Sequence, residues 1–177
     1  MKEIKHKFSG HKIQKDTEIL IIGTFNPDTE GNDAEFFYGR SRNYLWKILP
    51  LCLGSEDLKG KPLNEKLRFI EKMKIDFTDL IDSVQIDPGQ ETNYDDKYLD
   101  NHDPEWNNVL NLIASHKSIK KVCFTRRSFG GIPKMKKQIS EIKEYCESNG
   151  IQFQYLVTPA RFYSEPKLHE WKKLLIG

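Results

Sequence analysis

Apolar positions along this chain come in two rhythms that take turns. Short continuous runs predict strands buried on both faces of a sheet, and Glu18-Ile19-Leu20-Ile21-Ile22-Gly23 is the clearest of them. Ile75–Ile81, Lys120–Thr125 and Ile151–Thr158 are the other three. Between the runs, apolar residues recur at helical spacing. Leu63, Leu67, Ile70 and Met73 predict an amphipathic helix over Leu63–Lys74, and Trp106, Val109, Leu110, Leu112 and Ile113 predict one over Glu105–His116. Lys134–Asn149 reads as a helix stopped by Asn149-Gly150, and Glu165–Leu175 as a final helix. An early helix runs through Leu45, Trp46, Ile48 and Leu49, with Ser41 or Asn43 as its cap. Residues 30–40, Asp82–Asp103 and Arg126–Pro133 carry neither rhythm and read as loops.

Strands alternating with helices imply an α/β fold: a three-layer αβα sandwich around a central, mainly parallel four-stranded sheet, as one domain over residues 1–177. Sheets of this kind bind ligands at the carboxyl ends of their strands. That directs attention to Gly23–Asp28, Asp79–Val84, Thr125–Gly131 and Thr158–Tyr163.

Composition narrows the function classes. No apolar run approaches the roughly 20 residues of a membrane helix, and the charged start Met1-Lys2-Glu3-Ile4-Lys5 has no apolar signal core after it. A cytoplasmic protein is the expectation. Cys52, Cys123 and Cys146 lack metal-ligand spacing, and the five histidines form no HxxxH pair, so neither a metal nor a cofactor is expected. Net charge is +2, but it is unevenly spread: residues 76–105 hold ten acids and one base, net −9, leaving +11 elsewhere. A basic body suits a polyanion partner, and clustering of acids on solvated loops is the plain alternative.

Four segments carry candidate chemistry. In Gly23-Thr24-Phe25-Asn26-Pro27, the glycine permits close approach to the backbone and the amide of Asn26 both donates and accepts; an Asx-type turn is the structural alternative. Phe36-Phe37-Tyr38-Gly39-Arg40-Ser41-Arg42-Asn43-Tyr44-Leu45-Trp46 joins aromatics that stack on bases to arginines that hold phosphates. Thr125-Arg126-Arg127-Ser128-Phe129-Gly130-Gly131 is a glycine-rich turn with arginines but without a Walker ending. Thr158-Pro159-Ala160-Arg161-Phe162-Tyr163 is a rigid loop with apolar and cationic tips, of a kind that enters a minor groove.

The order of these segments resembles the uracil-DNA glycosylase superfamily. The mismatch-specific uracil enzymes have a first motif GINPG and then a segment like HPxNxFW. The hypoxanthine branch is similar over the middle of the chain, where its IGLWDVI stretch matches Ile75-Asp76-Phe77-Thr78-Asp79-Leu80-Ile81. The resemblance implies base excision without metal or cofactor, by a monomer acting on DNA that contains a damaged or mismatched base. It matches Asn26 and Asn43 to the family's catalytic asparagines, and the base pocket is expected at Gly23, Thr24, Phe25, Pro27, Phe37 and Tyr38. Asp28 is a further catalytic candidate, as a base or as stabiliser of the oxocarbenium-like centre, by analogy with carboxylates at other glycosidic bonds. The resemblance puts Thr158, Pro159, Ala160 and Arg161 at the late motif that inserts beside the flipped base; Arg40, Arg42, Arg126 and Arg127 are further DNA contacts expected from their charge. The chain departs from the family pattern in four ways. One extra residue separates Gly23 from Asn26, Asp28 replaces a glycine, Leu45 replaces a phenylalanine, and the late motif has no histidine. The extra residue leaves Asn26 and Asn43 as alternatives for one role.

The expected function is therefore a monofunctional DNA glycosylase for a deaminated base of uracil or hypoxanthine type. Three rivals stand beside it: an inactive nucleic-acid-binding module on the same fold, a metal-dependent phosphohydrolase using the Asp76–Asp103 acids, and a nucleotide-binding domain with no DNA partner.

Overall fold

A computed structural model describes residues 1–177. Its centre is a four-stranded parallel sheet in the order β3-β2-β6-β7, from β2 (Ile19–Gly23), β3 (Ile75–Asp79), β6 (Lys121–Phe124) and β7 (Gln152–Tyr155). Alternate residues of these strands serve two cores. Leu20, Ile22, Val122 and Phe124 face α4 (Val109–Ser115) and α5 (Pro133–Ser148). Ile21, Ile75, Phe77 and Cys123 face α1 (Leu45–Cys52), α2 (Leu63–Met73) and α6 (Glu165–Ile176). The expected αβα sandwich is therefore what the chain forms.

The predicted elements that differ lie around the acidic segment. Ile75–Ile81 is one apolar run, but the chain changes sheets at Leu80. Its N–H still bonds the carbonyl of Gly23 at 3.0 Å, after which β4 (Ile81–Ile86) leaves the parallel sheet. β4 pairs antiparallel with β1 (Lys2–Lys5) on one side and with β5 (Glu105–Trp106) on the other. The stretch read as irregular thus begins with a strand and also holds a short helix, α3 (Asp96–Asn101), which Asp95 caps. The helix expected from Glu105 starts at Val109, because Glu105 and Trp106 are taken by the sheet.

β1 sets the site in place. Past β1 the arm runs between β4 and the turn after β2: the N–H of His6 bonds Asp82 on one side, and on the other Lys7 N–H bonds the Asn26 carbonyl at 2.8 Å and Asp28 N–H bonds the Lys5 carbonyl at 2.8 Å. The acids of residues 76–105 are in large part drawn into internal partners. Asp100 is fully buried and accepts from Lys134 and Met135 N–H at 3.1 and 2.6 Å, capping α5, whose own N-cap residue, Ile132, offers no side-chain bond. Asp103 pairs with Lys134, and Asp87 with His102 at 3.0 Å. No helix is long and apolar enough to cross a membrane.

Candidate active site

The register of the parallel strands brings four chain segments to one edge. Gly23 lies opposite Asp79, Ile22 opposite Phe124, and Phe124 opposite Tyr155. Beyond that edge lies a cleft of about 670 Å³. Its lining includes Gly23–Asn26, Tyr38, Arg40, Asn43, Asp79, Tyr94–Lys97, Thr125–Ser128 and Val157–Arg161.

Two buried tryptophans fix the walls. Trp46 of α1 donates from Nε1 to the carbonyl of Phe37 at 2.8 Å, holding the backbone just before Tyr38. Trp171 of α6 donates from Nε1 to the carbonyl of Val157 at 2.9 Å, holding the start of the Thr158–Arg161 loop. Buried indoles of this kind contribute large apolar area and still need that one acceptor. The two walls are also joined. Asn43 and Ala160 form an antiparallel bridge, with Tyr44 N–H to the Pro159 carbonyl at 2.9 Å and Arg161 N–H to the Arg42 carbonyl at 2.8 Å. Arg161 has φ of +77° and Tyr38 of +57°, a left-handed geometry uncommon for such residues and often found at functional sites.

The floor is built on close approach. A Cβ on Gly23 would sit 2.3 Å from Asp79 Oδ1 and 2.8 Å from the Tyr38 hydroxyl, so only glycine leaves room for both groups. The Tyr38 hydroxyl shares a hydrogen bond with Thr125 Oγ1 at 3.1 Å. Burial, and next the Asp79 charge, push its pKa well above that of an ordinary tyrosine. It is a fixed neutral hydroxyl. Asp79 Oδ2 is bound to His6 Nε2 at 2.7 Å, while Oδ1 accepts no hydrogen bond from the protein and is not sealed off.

Both candidate asparagines line the cleft. Asn26 is buried, and its Oδ1 accepts from Asn32 Nδ2 at 2.5 Å. The Oδ1 of Asn43 accepts from Leu45 N–H at 3.0 Å in a local turn before α1, whose N-cap position is held by Tyr44 without a side-chain bond rather than by the expected Ser41 or Asn43. Each therefore keeps its Nδ2 donors for a ligand. Asp96, also in the lining, is paired with Arg126, yet burial outweighs that pairing and raises its pKa from that of an ordinary aspartate. Arg40 stacks on Tyr94, 3.9 Å from the ring centroid, and has a buried Nη2 without a partner.

Several expected site residues fall elsewhere. Asp28 is exposed and absent from the lining, because the pairing of its N–H with Lys5 continues the strand-like contact away from the sheet edge. Phe37 is buried and stacks on Phe77 in the core beneath. Pro27 is buried at its bridge with His6, and Arg42 is exposed outside the cleft. Arg126 and Arg127 do line it, but each is already paired, with Asp96 and Glu170 respectively. Residues not singled out from sequence are His6, Asp79, Tyr94 and Asp96. Asp79 opens the expected strand-end segment Asp79–Val84, which is a usable signal, whereas His6 and Asp96 reach the site only through contacts distant in sequence.

No protein-family model matches the chain, and no curated protein matches it. Among solved structures, it is similar to a solution NMR structure from Methanosarcina acetivorans of a protein provisionally named uracil DNA glycosylase. The TM-score is 0.64 at 20% identity, over 92% of this chain and 91% of that one. The two chains share a fold.

Proposed function

We propose that the protein is a DNA glycosylase that hydrolyses the N-glycosidic bond of a flipped, deaminated base of uracil or hypoxanthine type. The observation that carries this reading is one cleft with three parts. Its floor holds a neutral hydroxyl and an unpartnered carboxylate oxygen, its walls hold unpartnered amide donors, and its lip is rigid and bears an exposed aromatic. Extruding a base costs a few kcal/mol of stacking and pairing, on the order of that much per nucleotide. Phe162, 58% exposed at the tip next to Arg161, is the apolar group placed to fill the vacated stack. Phe25 and Tyr38 are the aromatic groups available to pack against the base.

Asp79 Oδ1 accepts from an N–H on the base edge, and the Nδ2 groups of Asn26 and Asn43 donate to its carbonyl oxygens or to the attacking water. In hydrolysis the water oxygen bonds C1′ as the C1′–N bond breaks, and the water gives up a proton. Asp96 is the carboxyl proposed to take it: it lines the cleft, and burial raises its pKa from that of an ordinary aspartate. Arg42 and Arg161, whose side chains are unpaired, serve the phosphates.

The test is release of free base from duplexes containing uracil, hypoxanthine or xanthine by wild type, Asn26→Ala, Asn43→Ala and Asp96→Asn. Wild type is expected to release at least one base, and Asp96→Asn to lose about 10²–10⁴ in rate. Binding of the duplexes with no release from any of them would favour the non-catalytic module. Hydrolysis of a phosphate ester that a chelator abolishes would favour the phosphohydrolase reading instead.

A further inference from the structure

The proposed reading assigns Asp79 the base edge and leaves unexplained why a histidine from the N-terminal arm is bonded to it. His6 is buried, and its ring lies among Phe8, Phe25 and Phe37 with centroids 5.5–6.0 Å away. Its two nitrogens have different partners. The backbone N–H of Phe8 donates to Nδ1 at 3.0 Å, and Nε2 meets Asp79 Oδ2 at 2.7 Å. A nitrogen that accepts a hydrogen bond carries no proton, so the ring is neutral with its proton on Nε2. The contact is then a hydrogen bond from a neutral imidazole to a carboxylate.

This arrangement has a direct consequence for the cleft. One Asp79 oxygen is bound from behind, and the other, Oδ1, stands over Gly23, where a side chain would collide with it. The charged and titratable groups facing Asp79 are His6, Arg40 and Tyr38, and Asn107 Nδ2 holds its backbone carbonyl at 2.8 Å. Of these, only His6 hydrogen-bonds the carboxylate.

We infer that His6 is a positioning residue: through a tautomer set by the Phe8 N–H, it holds Asp79 so that Oδ1 is the single acceptor presented to the base edge. The inference rests on the cleft being a base pocket. It predicts a preference for bases that offer an N–H at that edge, and that His6 sets how sharp the preference is.

The test pairs His6→Phe, which keeps a ring in the aromatic cluster and removes the donor, with His6→Gln, which keeps a donor. Thermal unfolding reports whether each variant is folded. The kcat/KM values for uracil, hypoxanthine and xanthine duplexes report selectivity, and binding of the free bases reports the pocket independently of chemistry. Ring ¹⁵N spectra of wild type report the tautomer. We expect the Nε2–H tautomer, a narrowing of the spread between best and worst base by about tenfold in His6→Phe, and substantial recovery in His6→Gln. A residue that only packs would lower every substrate equally. Folded His6→Phe with unchanged selectivity, or a wild-type ring protonated on Nδ1, overturns the inference. If wild type releases no base while His6→Phe still weakens free-base binding and His6→Gln restores it, the glycosylase reading fails and the positioning role stands.

Discussion

Replacing Gly23 by alanine tests the floor of the cleft with the smallest possible change. The added methyl would lie 2.3 Å from Asp79 Oδ1, 3.3 Å from its Cγ and 2.8 Å from the Tyr38 hydroxyl. Favourable non-bonded contact begins near about 3.5 Å, so both neighbours must retreat. Neither is free to do so. Asp79 is bonded to His6 at 2.7 Å and Tyr38 to Thr125 at 3.1 Å, and Gly23 itself is held in register opposite Asp79, with its carbonyl bonded by Leu80 N–H at 3.0 Å. Overpacking of this kind costs about 1–3 kcal/mol. For a chain of this size that is a fall in Tm of roughly 2–12 °C. The assay is thermal unfolding of Gly23→Ala, Asp79→Ala and the double variant, with free-base binding measured on each. Because Asp79→Ala removes the closest obstacle, the double variant is expected to be more stable than the sum of the single changes by about 0.5–3 kcal/mol. Additive effects, or a Gly23→Ala protein with unchanged Tm and unchanged base binding, would refute the reasoning.

Three further outcomes are expected. Phe162→Ala should change stability by less than about 0.5 kcal/mol, since the ring is largely exposed, but should weaken binding to a lesion duplex several-fold while leaving single-stranded binding nearly intact; equal losses on both would remove its role in the stack. Asp100→Ala strips the buried acceptor from the first turn of α5 and should lower the unfolding free energy by about 1–3 kcal/mol in urea titration. Burial pushes the thiols of Cys52 and Cys146 up to about 11 and that of Cys123 up to about 12, whereas an unfolded thiol ionises near about 8.5. Their contribution is therefore complete below that lower value and lost as pH rises towards the folded ones. Burial raises the Tyr38 hydroxyl in the same direction. Urea midpoints should fall steadily between about pH 9 and 11, and a thiol reagent at pH 8 should label the protein only as fast as it unfolds.

The parallel sheet was readable because each of its strands is a continuous apolar run between helical stretches, a pattern that only two-sided burial explains. β1 was not readable, since only Ile4 of its four residues is buried and its register depends on a strand some eighty residues later. β4 was hidden for a different reason: it follows β3 with one residue between, so two strands in two sheets look like one run that stops early. The same logic divides the site. Asn26, Asn43, Tyr38 and Thr158–Arg161 lie in local motifs and line the cleft, as their segments suggested. Asp28 lies outside the cleft because a turn residue's direction is decided by what its backbone pairs with, here Lys5. The acidic cluster gave no hint that its members act as separate caps and partners, because each partner lies on a different element.

The placement of the N-terminal arm between β4 and the Asn26–Asp28 turn also bears on how the molecule is made. During synthesis, residues 2–8 leave the ribosome well before Ile81–Ile86 and have no ladder to join until that strand has followed them. The pocket floor is thus completed by a returning segment that closes a long loop, which is slow to form relative to local helices. A segment completed in this way is expected to open before the central sheet does. In deuterated water the amides of Lys7 and Phe8 should exchange well ahead of those in β2 and β6, and each such opening would briefly release Asp79 while the rest of the protein stays folded.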